Sequence, residues 1–230
     1  MSIKPWFRRL YAIALAIVLS LTIFHLPAAA YSESDLQQLK DTNGCNNCDL
    51  SEYDFTTAGF GLYGSALVGA NLSGANLHHM LLNGADLSDA NLTGADLSEA
   101  IAMGAKFELA DLTSANLTQA HFDNASMDTV ILQESDLTGI ILTSAQLAGA
   151  YLANIQAGNA KLDQVILAKA VLTGADLSNS NLRNSNLVDA ILRDANLCGA
   201  NLTQTKMPDS TIYNGDVSQF EAYQCDSSGT

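Results

Sequence analysis

The stretch "NGADLSDANLTGADLSEA", residues 83–100, decides the fold. Leu87, Leu92 and Leu97 fall five apart, and Ala85, Ala90, Ala95 and Ala100 keep the same step two residues earlier. Taking the leucine as the centre of each unit, the step runs unbroken from Leu62 to Ile212. Leucine fills 24 of these 31 centres; the others are Phe107, Phe122, Met127, Met207, Ile212, Ala102 and Ala157. The site two residues before a centre is small, alanine at 19 of the 31 and serine at five, and the residue in between is often Asn or Asp.

A period of five matches neither a helix nor a straight strand. Two apolar residues flanking one polar residue are strand-like for three residues. The chain must then turn, or the next apolar pair would miss the core. A turn every five residues in one sense winds a coil, and Gly and Asn beside the turns suit a left-handed backbone. The number of sides follows from columns at a spacing of twenty. One column reads Asn76, Asp96, Asn116, Asp136, Gln156, Asp176, Asn196, and another reads Ile131, Tyr151, Val171, Ile191. Four pentapeptides per turn make a square coil. Stacked coils share parallel backbone hydrogen bonds at a spacing of about 4.8 Å, so roughly eight coils give a rod about 40 Å long. Leu87, Leu92, Leu97, Leu112, Leu117 and Phe122 are core centres in this frame. Ala102 is a missing leucine, and Phe122, twenty residues on, is an oversized one that fills its space; Ala157 has no such partner, but Ile155 replaces the usual alanine before it.

The run A-[D/N]-L-x-x, as in "GADLSDANLTGADLSEA", resembles the pentapeptide-repeat family. The resemblance covers about residues 45–212 and implies an all-β fold, a right-handed quadrilateral parallel β-helix. It speaks for a scaffold more than for a function. The segments "CNNCDLSEYDF" and "TKMPDSTIYN" are similar to the entry and exit of exported cyanobacterial and thylakoid-lumen members. Some relatives are acidic rods that resemble DNA and occupy DNA gyrase, so a DNA-mimicking inhibitor is the alternative function; the leader described next disfavours it.

The chain has 230 residues and a net charge of −14. Residues 1–30 carry Lys4, Arg8 and Arg9 and no acid, and "LYAIALAIVLSLTIF" (10–24) is uncharged and apolar. Ala28, Ala29 and Ala30 supply small residues for cleavage after Ala30, so residues 1–30 read as a signal peptide rather than an uncleaved anchor. Export to a periplasm or a thylakoid lumen follows, with no stable membrane span after cleavage. The remainder holds 24 acidic against seven basic residues. Such a surface repels nucleic acid and anionic membrane.

The expected division is a signal peptide (1–30), an N-terminal cap (31–44), the β-helix (45–212) and a C-terminal cap and tail (213–230). Solenoids leave bare ends that need covering. "SESDLQQLKD" (32–41) predicts a short helix over the first coil, and "DVSQFEAYQC" (216–225) brings Phe220 and Tyr223 to the other end. Leu50, Phe55 and Phe60 hold the five-residue step, but the next centre is Leu62; two extra residues sit in "TTAGFGLYG", where glycines 59, 61 and 64 predict a bulge or short loop. Cys45, Cys48, Cys198 and Cys225 are disulfide candidates in an exported chain. Cys45 and Cys48 form a tight disulfide, remain small core thiols, or serve a redox or metal function. Cys225 can fold back on Cys198 and staple the tail.

No catalytic cluster, phosphate loop or cofactor motif stands out, which argues against an enzyme. His78, His79 and His121 are expected outward and solvated, and the Asn/Asp column is expected to hydrogen-bond along the stack or meet water rather than hold calcium. The sharpest surface feature is the outward apolar column Ile131, Tyr151, Val171, Ile191; a weaker cluster, Leu81, Ile101 and Ile141, lies on the opposite face. The expectation is a non-enzymatic exported structural or interaction protein, a rigid acidic rod whose strip binds a protein partner or a second copy, with no cofactor.

Overall fold

A computed structural model describes residues 30–213. From Gly44 to Lys206 the chain is a stack of square coils. From Ala66 to Asn186 the residue before each centre makes one parallel bridge to the residue twenty further on. One column runs Ala66, Asp86, Lys106, Ser126, Gln146, Ile166, Asn186, Lys206. The bridge is flanked by two kinds of bond. Leu97 N–H donates forward to Asn116 O at 2.7 Å, and Asp96 N–H donates back to Ala75 O at 3.0 Å. Parallel coils thus satisfy their backbone without any strand longer than a residue or two.

The corners explain the period. In Leu87–Ala90 the Ala90 N–H donates to Leu87 O at 3.1 Å, and Asp89 takes φ 58°. A positive φ at the third residue is the signature of a type II turn. The equivalent residue is positive in successive units whether it is Gly, Asn, Asp, Glu, Gln, Ser or Lys. At Gly94, φ 66°, an added Cβ would touch nothing within 4 Å. Gly94→Ala therefore isolates backbone strain. It should cost about 1 kcal/mol in denaturant-induced unfolding, the penalty of a left-handed L-residue. An unchanged midpoint would show that the corner imposes no strain.

The Asn or Asp before each centre also builds the corner. Its side-chain oxygen accepts the N–H two residues on: Asp96 Oδ1 from Ser98 N at 2.9 Å, Asp111 Oδ1 from Thr113 N at 2.9 Å, Asn201 Oδ1 from Thr203 N at 3.1 Å. These side chains satisfy backbone N–H groups that the turn leaves without a partner in the next coil.

The interior is two apolar layers. Leu87, Leu92, Leu97, Leu112, Leu117 and Phe122 are each fully buried, and so are the alanines that precede them. Ala102 N–H donates to His121 O, which places Phe122 one coil beyond Ala102; the Phe122 ring packs on Phe107 with centroids 5.2 Å apart. Near Ala157 the filling is incomplete. A cavity of about 10 Å³ is lined by Leu137, Leu152, Ile155, Ala157, Leu162 and Leu177 among other apolar side chains.

The frame fault between Phe55 and Leu62 is a 3₁₀ turn, Phe55–Thr57, capped by the Asp54 carboxylate on Thr56 N–H at 3.0 Å. The first coil consequently pairs at a spacing of 22, Gly44 with Ala66, Asp49 with Asn71 and Asp54 with Asn76. Phe60 is therefore not a centre in step with Leu50 and Phe55: it takes the slot two before Leu62 and packs on the core from a partly buried position.

Before the first coil lies α1, Glu33–Thr42. Ser32 accepts from Asp35 N–H at its start, and Asn43 ends it with φ 55°. Its buried residues are Leu36 and Leu39. The edge of the first coil is met from this segment: Asp49 N–H donates to the Asp35 carboxylate at 2.8 Å, and Ser32 N–H donates to Asp49 O at 2.9 Å. Tyr31, Tyr53, Phe55 and Phe60 form an edge-to-face series here, with neighbouring centroids 4.7, 4.7 and 6.3 Å apart.

The far end corrects one expectation. Ile212 is not the last inward centre; it is 47% exposed. The chain reverses after Met207, whose N–H goes to Thr211 O at 2.7 Å, whereas Leu187 N–H one coil earlier goes forward to Lys206 O. Here the chain folds back, and Ile212 pairs antiparallel with Lys206. Among the described residues no helix is long and apolar enough to cross a membrane.

Candidate functional site

The outward face between the corners is where side chains differ from coil to coil. The bridges Ile131–Tyr151, Tyr151–Val171 and Val171–Ile191 stack the strip residues on one face across four coils. Tyr151 and Ile191 are 46% and 48% exposed, and Ile131 and Val171 are half-buried. Earlier in the same column stand Asn71, Asn91 and Asp111, so the face changes from polar to apolar at Ile131.

The strip is wider than its column. The adjoining corner carries Ala148, Ala168 and Val188, linked coil to coil by Gly149 N–H to Ala168 O and Lys169 N–H to Val188 O, each at 2.8 Å. Round that corner stands Ile166, 39% exposed. The column Ile131, Tyr151, Val171, Ile191, taken at a spacing of twenty, does not contain them. The same spacing applied one residue past the centre, Asp128, Ala148, Ala168, Val188, contains the missing signal. On the opposite face Leu81 and Ile101 pair, with exposed Met103 at the next corner, but His121 separates Ile101 from Ile141.

The Asn/Asp face bonds along the stack in places: Asn116 Nδ2 donates to Asp96 Oδ1 at 3.1 Å, and Asn196 Nδ2 to Asp176 Oδ1 at 3.0 Å. On an adjacent part of the rod, Lys106 Nζ lies 3.2 Å from Asp86. Burial would raise the Asp86 pKa, but hydrogen bonds from the Ser88 hydroxyl and amide, joined by Lys106, hold it below the usual carboxylate range. Tyr53 is pushed up by burial, with Tyr31 and Asp54 adding to it.

His121 and His79 are exposed as expected. His78 is not simply solvated. It is half-buried, and its Nδ1 lies 3.0 Å from Ser98 O and 2.8 Å from Ser98 Oγ in the next coil. The chance of such a bond is not visible in a column where most outward residues meet water. Cys45 and Cys48 are joined in a disulfide, both side chains in the core, with Cα atoms 5.4 Å apart. Cys198 is also disulfide-bonded. Cys225, Phe220 and Tyr223 lie outside the described residues, as do residues 1–29 of the expected leader.

The pentapeptide-repeats profile matches in eight copies over residues 70–108, 105–143, 140–179 and 175–211, more than half of the chain. No curated protein matches the sequence. Similar solved structures include HetL, a pentapeptide repeat protein involved in heterocyst differentiation regulation from the cyanobacterium Nostoc; it is 26% identical, with 78% of this chain and 98% of that one covered and a TM-score of 0.30. A pentapeptide repeat protein from the Arabidopsis thaliana thylakoid lumen is 29% identical over 50% of this chain and 70% of its own, with a TM-score of 0.27. QnrB1, a plasmid-mediated fluoroquinolone resistance protein, is 14% identical over 70% of this chain and 81% of its own, with a TM-score of 0.49. The five-residue step, the square stack and the profile match agree, and the chain belongs to the pentapeptide repeat family, whose fold is the right-handed quadrilateral β-helix.

Proposed function

We propose that this protein is a non-enzymatic interaction protein, exported by residues 1–30 to a periplasm or thylakoid lumen, which presents one face of a rigid acidic rod to a protein partner. The rod has about eight coils, with α1 as its N-terminal cap and residues 213–230 as its C-terminal cap. The observation that carries the reading is the strip Ile131–Tyr151–Val171–Ile191, widened by Ala168, Val188 and Ile166, on a body whose other outward columns are largely polar. A contiguous apolar patch on a charged surface suits a protein interface, and tyrosine and isoleucine anchors suit its centre. The net charge turns nucleic acid away and favours a partner with a basic rim.

The test is capture in the native host. Tyr151→Lys with Val171→Lys should keep the circular dichroism of the parent, because both side chains point outward, and should abolish self-association or partner capture. Unchanged capture by a folded double variant excludes the strip. Mass spectrometry of the captured chain reads the leader at the same time: an N-terminus at Tyr31 supports export, whereas an uncleaved cytoplasmic chain carrying gyrase replaces this reading with the DNA mimic.

A further inference from the structure

We propose that His78, His79 and Glu99 form a binding site for a divalent transition-metal ion, zinc being the probe of choice, which ties two successive coils together at one corner. The three residues each offer a ligand atom, and these atoms lie within 4.8 Å of one another. His79 Nδ1 is 3.5 Å from Glu99 Oε2. Bonds of about 2.0–2.2 Å to a tetrahedral zinc ion place neighbouring ligand atoms roughly 3.3–3.5 Å apart. The His79–Glu99 pair already stands at that spacing. Both side chains are more than half exposed, so the remaining closure needs only rotation about their own bonds.

His78 is set up for the role by its partners. The carbonyl oxygen of Ser98 can only accept, so Nδ1 of His78, 3.0 Å away, must carry the proton. The Ser98 hydroxyl agrees: it donates to Asp96 Oδ1 at 2.6 Å and has only lone pairs to offer His78. Neutral His78 therefore keeps its lone pair on Nε2. Metal-binding histidines are held in this way, one ring nitrogen donating to a carbonyl and the other presented to the metal. The arrangement repeats through Asp96, which also accepts from Ser98 N–H and from Asn116, so the anchor beneath the histidine is fixed on three sides.

The donor set selects the ion. Two imidazoles and one carboxylate suit zinc, nickel or copper; calcium and magnesium want oxygen ligands only. Water completes the coordination at an exposed corner. The surrounding acidic surface raises the local cation concentration. The ligands come from the corners at 78–79 and 99, one coil apart, so an ion held here cross-links neighbouring coils as a short external staple.

The experiment is a titration of the untagged, metal-stripped protein purified from its native host, with zinc chloride by calorimetry, and with cobalt(II) as a visible-absorption probe. Zinc should bind one to one, and cobalt should give the visible absorption bands of a low-coordinate nitrogen and oxygen site. His79→Ala and Glu99→Gln should each weaken zinc at least tenfold while the melting temperature without metal stays unchanged, since both are exposed. Ser98→Ala, which removes no ligand, should weaken it by less. Calcium at the same concentration should give no heat. Absence of one-to-one binding by the parent, or binding by either ligand variant as tight as the parent's, overturns the proposal; neither result bears on the strip.

Discussion

Leu117→Asp should abolish folding. Leu117 sits mid-stack with no exposed surface, its N–H bonded to Asp136 O at 2.7 Å and its own carbonyl accepting from Ala120. Losing the leucine alone is a large-to-small core change worth about 2–5 kcal/mol. The carboxylate adds a buried group with no partner in an alanine and leucine interior, costing several kcal/mol whether it stays charged or takes up a proton. Together these match or exceed the about 5–15 kcal/mol that holds a domain of ordinary stability. A solenoid has no second core to compensate, because each coil contacts only its neighbours, and a disrupted coil leaves two half-stacks with bare ends. The expected result is an insoluble chain, or one without the parent's far-ultraviolet spectrum or any cooperative melt. Leu117→Met, which keeps volume and polarity, should cost less than about 1.5 kcal/mol. A soluble Leu117→Asp protein with an unchanged spectrum would falsify the inward assignment of the centres.

The inward assignment was open to reading because a five-residue period leaves the chain few solutions. Leu87, Leu92 and Leu97 cannot share a helical face or a straight strand face, so the chain must turn within each unit. The four-sided coil was carried by outward residues, Asp96 above Asn76 and Tyr151 above Ile131, since inward leucines look alike at every spacing. What the sequence left unread has physical causes. The Asx bond from Asp96 to Ser98 N–H is a local competition between side chain and water that composition does not reveal. Ile212 keeps the five-residue phase yet is half exposed, because phase does not record that the chain reverses after Met207. The strip was legible as a column but not as a patch, because Ile166 and Val188 join it only round a corner. The sequence alone leaves His78 solvated, because its partner, Ser98, lies twenty residues away and looks like any other turn serine.

Ile155 and Ala157 invert the usual order of a pentapeptide, and their exchange is the second large test. The ordinary unit places a small residue two before a leucine; here isoleucine stands in the small slot, 2% exposed, and alanine at the centre, 1% exposed. If the two side chains divide one volume, each single reversal must fail in its own way. Ile155→Ala should cost about 2–5 kcal/mol, because it enlarges an apolar cavity already present beside Ala157. Ala157→Leu should cost about 1–3 kcal/mol, because Ile155 already fills the apolar space beside Ala157 and three more carbons overpack it. The double variant restores the ordinary order with the same number of carbon atoms, since leucine and isoleucine are isomers. It should return to within about 1.5 kcal/mol of the parent, as volume-conserving core exchanges do. The coupling between the two sites would then be of the order of 1.5 kcal/mol or more, read from the thermal or denaturant midpoints of the four proteins. Additive losses would mean that the two residues do not share a volume, and that the isoleucine packs against a neighbouring coil rather than compensating for the missing leucine of its own unit.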